Sequence, residues 1–154
     1  MPAPSLITAR LRDARARLRE SLATVADRVG ALAMLPPEER CAAMKQVAAD
    51  LDAQLRPHLE WEERTIHPVV DKFACEGPAA FSASMRYEHE IIHRGIGELR
   101  GQSFDAAAVV AFSRRADNLL GVVLAHFELE EQVLFPILDR ALGSTAQPIV
   151  APPK

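Results

Sequence analysis

The chain has 154 residues, 49% of them apolar and 5% aromatic, with a formal net charge of -3. That suffices for one domain with its own core, leans towards helix, and excludes a general pull towards nucleic acid or anionic membrane. The N-terminus lacks an apolar run of signal-peptide length and nothing later approaches the ~20 apolar residues of a membrane span, so a soluble, cytoplasmic protein is expected, with Cys41 and Cys75 as ordinary thiols.

Ser5, after Pro4, is placed to cap a first helix whose apolar residues Ile7, Leu11, Ala14, Leu18, Leu22, Val25, Val29 and Leu32 recur at helical spacing. Pro36-Pro37-Glu38-Glu39 opens a second, with proline where the first turn tolerates it and acids where the helix dipole favours them. It is predicted to run to about Ala74, bent where Pro57 frees the carbonyl of Ala53. Pro78 opens a third, striped by Phe81, Met85, His89, Ile92, Ile96 and Leu99 and closed by Gly101. Ser103 is placed to cap a fourth, striped by Ala116, Leu120, Val123, Phe127, Glu130, Leu134 and Ile137 and ending near Gly143. Gly95, Gly97 and Gly121 are expected to mark close packing. No segment alternates with period two. The prediction is an all-α, antiparallel up-down-up-down four-helix bundle over residues 1–143, with a flexible tail over 144–154.

One segment is written twice: His58-Leu59-Glu60-Trp61-Glu62-Glu63-Arg64-Thr65-Ile66-His67-Pro68 recurs as His126-Phe127-Glu128-Leu129-Glu130-Glu131-Gln132-Val133-Leu134-Phe135-Pro136. Both copies set a carboxylate four residues after a histidine, on the same helix face, and His89 and His93 repeat that spacing. Measured from helix ends near Phe73 and Ala141 and from the start at Pro78, Glu62, His89 and Glu130 each lie 11 residues in and His58, His93 and His126 each lie 15, which puts all three pairs about 16 to 22 Å from one end of the bundle. Imidazole and carboxylate together suit first-row metals, and a carboxylate from each of two helices can bridge two ions. Glu62 and Glu130 are expected to be such bridges, with His89, His93 and His126 completing one ion and His58 holding the other. His67, nine residues after His58, falls on the opposite helix face and is expected at the surface. Glu63 and Glu131 flank the site as partners of ligands or as surface charge, and Glu131 can replace Glu130 as a bridge.

The pattern His58-x-x-x-Glu62, His89-x-x-x-His93, His126-x-x-x-Glu130, with Glu-Glu and a downstream proline in the first and last copies, resembles the hemerythrin-like (HHE cation-binding) domain over about Ser5 to Leu142. The resemblance implies a four-helix bundle around a non-haem iron centre, two oxo- or hydroxo-bridged ions, able in various members to bind oxygen, nitric oxide or iron itself. A ferritin-like site needs Glu-x-x-His on two helices, and only Glu90-x-x-His93 fits.

The chain departs from that pattern on the first helix, where the family's histidine would fall at about Ala14 or Arg15. Asp13 and Glu20 are the nearest carboxylates, roughly 140° to 180° from the apolar stripe, on the solvent side. The iron beside His58 would lack one protein ligand, so a single ion at His89, His93 and His126 with a carboxylate is the alternative. Arg15, at the vacant position, is placed to pair with Glu62 or to donate to a metal-bound anion. Two functions are expected to compete. One is a binding protein for oxygen or a related diatomic, or a sensor or store of iron; the other is an enzyme that reduces or activates peroxide, oxygen or nitric oxide at an open iron position. Both call for a small diatomic or peroxide as partner, without nucleic acid or membrane.

Overall fold

The computed structural model describes residues 6–73 and 78–142. Helix α1 (Leu6–Ala31) tightens into a 3-10 turn at Leu32–Met34 and passes through Pro36 into α2 (Pro37–Thr65), with Glu38 and Glu39 in its first turn. Next come α3 (His67–Phe73) and α4 (Pro78–Gly101). A 3-10 turn at Ala106–Ala108 leads into α5 (Val109–Leu129), a π-helical turn at Glu130–Leu134 and α6 (Phe135–Leu142). The long helices pack α1 on α2, α2 on α4, α4 on α5 and α5 back on α1, which is the predicted up-down-up-down bundle. The described residues contain no strand, and no described helix is long and apolar enough to cross a membrane. Ser5, Cys75 and the tail over 144–154 lie outside the described residues.

The apolar stripes build two cores, one at each end of the bundle. The larger joins Leu22, Val25 and Val29 of α1 to Leu51, Leu55 and Leu59 of α2, Ile92 and Ile96 of α4, and Phe112, Val123 and Phe127 of α5. The smaller joins Ile7 and Leu11 to Trp61, Ile66, Val70, Leu134, Phe135 and Leu138. Each fully buried leucine or phenylalanine contributes roughly 1.5–3 kcal/mol, so these two layers hold the helices in register. Gly95 is the one described glycine that serves close packing: a Cβ there would stand 2.9 Å from Cδ1 of Leu119 on α5, whereas Gly97 and Gly121 face open space.

Three features differ from the sequence expectation: the end of the second helix, the course of the fourth ahead of Pro136, and the residue that caps its approach. The second helix does not run unbroken to Ala74; it stops at Thr65, where Ile66 donates its N–H to the carbonyl of Glu62, and restarts as α3. Pro68 is the cause, because it has no N–H for the carbonyl of Arg64 and its ring crowds that carbonyl. The fourth helix is likewise irregular ahead of Pro136, and there the chain inserts a π turn in which the N–H of Phe135 reaches the carbonyl of Glu130. Pro57, by contrast, is accommodated inside a continuous α2. Asp105, not Ser103, is the capping residue here, and it caps the 3-10 turn that leads into α5, its carboxylate accepting from the N–H of Ala107 at 3.1 Å.

Candidate metal centre

Between the two apolar cores lies one buried polar layer: Arg15 from α1, His58 and Glu62 from α2, His67 from α3, His89 from α4, His126 from α5 and Glu130 from the π turn. Ionised groups with no access to water need a counter-charge or a metal ion, and the atoms of this layer are arranged for both.

His89 and His126 turn their Nε2 atoms towards each other, 3.0 Å apart. Their other ring nitrogens are held from behind by carboxylates at the rim. Nδ1 of His89 lies 2.9 Å from Oε1 of Glu63, and Nδ1 of His126 lies 2.6 Å from Oε2 of Glu88. A carboxylate on Nδ1 fixes the tautomer that presents the Nε2 lone pair, which is the usual support for an imidazole that binds metal. The spacing fits as well, since two ligands at ~2.1 Å from one ion and at right angles stand about 3.0 Å apart.

Two carboxylate oxygens complete the group. Oε2 of Glu62 lies 3.5 Å from Nε2 of His89, and Oε1 of Glu130 lies 3.4 Å from Nε2 of His126. Both oxygens are buried with no hydrogen-bond partner. One ligand atom from each of Glu62, His89, His126 and Glu130 falls within 4.8 Å of all the others. Orphaned buried acceptors beside facing imidazole nitrogens, which offer lone pairs once a proton is displaced, are the donor set of a divalent ion, so these four residues fit a metal.

The Hemerythrin HHE cation binding domain family matches residues 7–141. This chain belongs to that family. No curated protein and no solved structure matches it.

In this hemerythrin-family bundle the remaining predicted residues lie around the four. Nε2 of His58 lies 2.8 Å from Oε1 of Glu62, out of line for a hydrogen bond, and on the opposite side of that carboxylate from His89. His93 stands outside the converging group: its side chain is 26% exposed and its nearest carboxylate is Glu63, 3.8 Å from Nε2. Glu131 turns outward to Arg19 at 3.3 Å, so the π turn selects Glu130 as the residue facing the site. Glu63, left open by its spacing, orients His89.

The first-helix position is filled by Arg15, which is fully buried. Its Nη2 donates to Oε1 of Glu62 at 2.5 Å and to Oε2 of Glu130, while the guanidinium lies over the Phe127 ring, 3.9 Å from its centroid. Burial acts against the charge on Arg15, yet Glu62 and Glu130 outweigh it and raise the pKa. Burial would likewise favour neutral Glu62, but His58 and Arg15 hold its carboxyl well below the usual range. Without an ion His126 is pushed up to about 9: burial opposes the proton, and the neighbouring Glu130, with help from Glu62 and Glu88, more than restores it, so an ion would have to displace this proton.

His67 corrects the sequence reading. Instead of lying at the surface it is fully buried, its ring centroid 5.0 Å from that of His89, with neither ring nitrogen hydrogen-bonded. Burial, and then the charge of His89, lowers its pKa to about 4, so this imidazole is neutral. The break at Ile66 shifts the helical phase. A signal was present in the repeat, because the position equivalent to His67 in the second copy is Phe135, a core residue.

Proposed function

We propose that the protein is a non-haem iron protein that binds oxygen or a related diatomic such as nitric oxide. The observation that carries this reading is the pair of Nε2 atoms 3.0 Å apart, each imidazole braced at Nδ1 by a carboxylate and each facing an unpartnered carboxylate oxygen. Mixed nitrogen and oxygen donors suit iron, and Glu62, His89, His126 and Glu130 would hold it. Iron bound there supplies a redox-active centre to which a diatomic can coordinate.

The chain's own contribution is enclosure and orientation. Phe127 and Trp61 flank His58, and the two apolar cores lie above and below the layer, so water reaches the centre poorly. A dry surrounding favours reversible binding over turnover, because protons and water are what drive a bound ligand on to products. Glu63 and Glu88 keep His89 and His126 aimed while a ligand enters and leaves.

Anaerobic loading with ferrous iron followed by exposure to air tests the proposal. Visible absorption bands that appear with oxygen and disappear under vacuum are the expected result. Irreversible bleaching with continuing consumption of oxygen or peroxide would replace it with the enzyme reading. Failure to retain more than trace iron would sink both.

A further inference from the structure

We infer that Arg15 takes the place of a second metal ion, so that this centre holds one ion and a guanidinium occupies the other cation position. This inference rests on the metal-binding reading above and concerns how many ions the chain accepts.

The two oxygens of each central carboxylate are divided between opposite sides. Oε2 of Glu62 and Oε1 of Glu130 face His89 and His126 and have no hydrogen-bond partner. Oε1 of Glu62 and Oε2 of Glu130 both accept from a single nitrogen, Nη2 of Arg15. His58 belongs to the second side, its Nε2 lying 2.8 Å from the same Oε1 of Glu62 that Arg15 holds. The layer therefore has two cation positions sharing two carboxylates. The first is framed by two imidazole nitrogens and two oxygens; the second is framed by two oxygens and His58, and Nη2 of Arg15 stands in it.

An arginine is suited to that place for three reasons. It keeps its charge at any pH the fold survives, so it cannot step aside by losing a proton. The Phe127 ring, 3.9 Å from Arg15 Cζ, supports the guanidinium face and holds it in the layer. Charge points the same way: one divalent ion balances the two buried carboxylates, and Arg15 already adds one positive charge beyond that balance. A second divalent ion beside the guanidinium would leave a large unbalanced positive charge in a water-poor layer, which is strongly unfavourable. A histidine at position 15 would reverse the situation, replacing a cation by a neutral donor beside His58.

The test is the number of ions per chain. Full-length protein, stripped with a chelator, is titrated anaerobically with ferrous iron, freed of weakly held metal, and assayed for iron by mass spectrometry, with calorimetric titration as an independent count. The wild type is expected to hold one ion, and Arg15→His and Arg15→Ala are expected to rise towards two. Two ions in the wild type would overturn the inference and leave the iron reading standing. One ion in folded Arg15→His would also overturn it, since something other than the guanidinium would then limit the count. No iron in any of the three would remove both readings together. If neither variant folds when stripped, refolding with ferrous iron present replaces the stripping step, and the wild-type count decides by itself between one ion and two.

Discussion

Glu62 and Glu130 show one oxygen each to the imidazoles of α4 and α5 and the other to α1, and the two sides of this carboxylate pair differ in kind. On the α1 side the counter-charge is built into the chain as Arg15, and both oxygens there accept from its Nη2, while Nε and Nη1 of Arg15 and Nε2 of His58 have no partner. On the α4 and α5 side the oxygens are orphaned, and the facing imidazoles have their backs held by Glu63 and Glu88. The first side belongs to the folded chain whether or not an ion is present. The second leaves two buried acceptors unpartnered, and it is there that the proposed ion would sit.

The largest expected effect comes from breaking the metal half. His89→Ala removes a ligand nitrogen and the group that Glu63 orients, and iron content measured after loading should fall to near zero; His58→Ala, on the other half, should leave most of the ion in place. Equal losses would contradict the asymmetry. Breaking the other half is next. Arg15→Met in chelator-stripped protein leaves two buried carboxylates without a counter-charge, and urea unfolding should show a loss of about 3–5 kcal/mol. Loading the variant with iron should recover much of that loss. A smaller effect is expected at the rim, where Glu88→Ala removes the support of His126 and should weaken iron affinity about 10- to 100-fold in a competition titration with a chromogenic chelator.

The smallest effect should come from His67, which adjoins the metal half without a hydrogen bond. His67→Phe copies the residue found at the equivalent place in the second copy and removes a buried imidazole with no partner, so stability should rise by about 1 kcal/mol with iron content unchanged. Loss of iron instead would enrol His67 among the ligands. The wild-type imidazole is held at about 4 in the fold, below its ordinary value of ~6.5 in the unfolded chain. The unfolded state therefore binds the extra proton in this window, and the contribution of neutral His67 to stability is complete above about pH 6.5 and is lost as pH falls towards 4. That loss should be absent from the unfolding curves of His67→Phe.

Much of this was legible in the residues alone. The apolar stripes of α1 and α4 are buried nearly as drawn, and the i, i+4 pairs deliver His89, His126, Glu62 and Glu130 to one layer because a regular helix returns to the same face after four residues. Legibility failed where the helix was not regular. Extrapolating the phase of α2 through Pro68 sent His67 to the surface, and extrapolating that of α5 through Pro136 favoured Ile137, whereas Leu138 is the buried residue. Comparing the two copies would have repaired the first error, since Phe135 is an unlikely surface residue in a chain with so few aromatics. His93 shows the opposite limit: its spacing is regular, but its place on α4 is further towards solvent, a matter of how α4 is rotated against its neighbours.

The sequence by itself determined the family, the four-helix plan and the presence of one polar layer with carboxylates and imidazoles on shared faces, because each of these depends on helical periodicity and on spacing within a segment. Only the tertiary structure decided how the layer is divided. Arg15 is 47 residues from Glu62 and 115 from Glu130, and no local pattern states which carboxylate oxygen it will hold. A buried charge takes whichever counter-charge the other helices bring within hydrogen-bond distance, and that is set by packing alone.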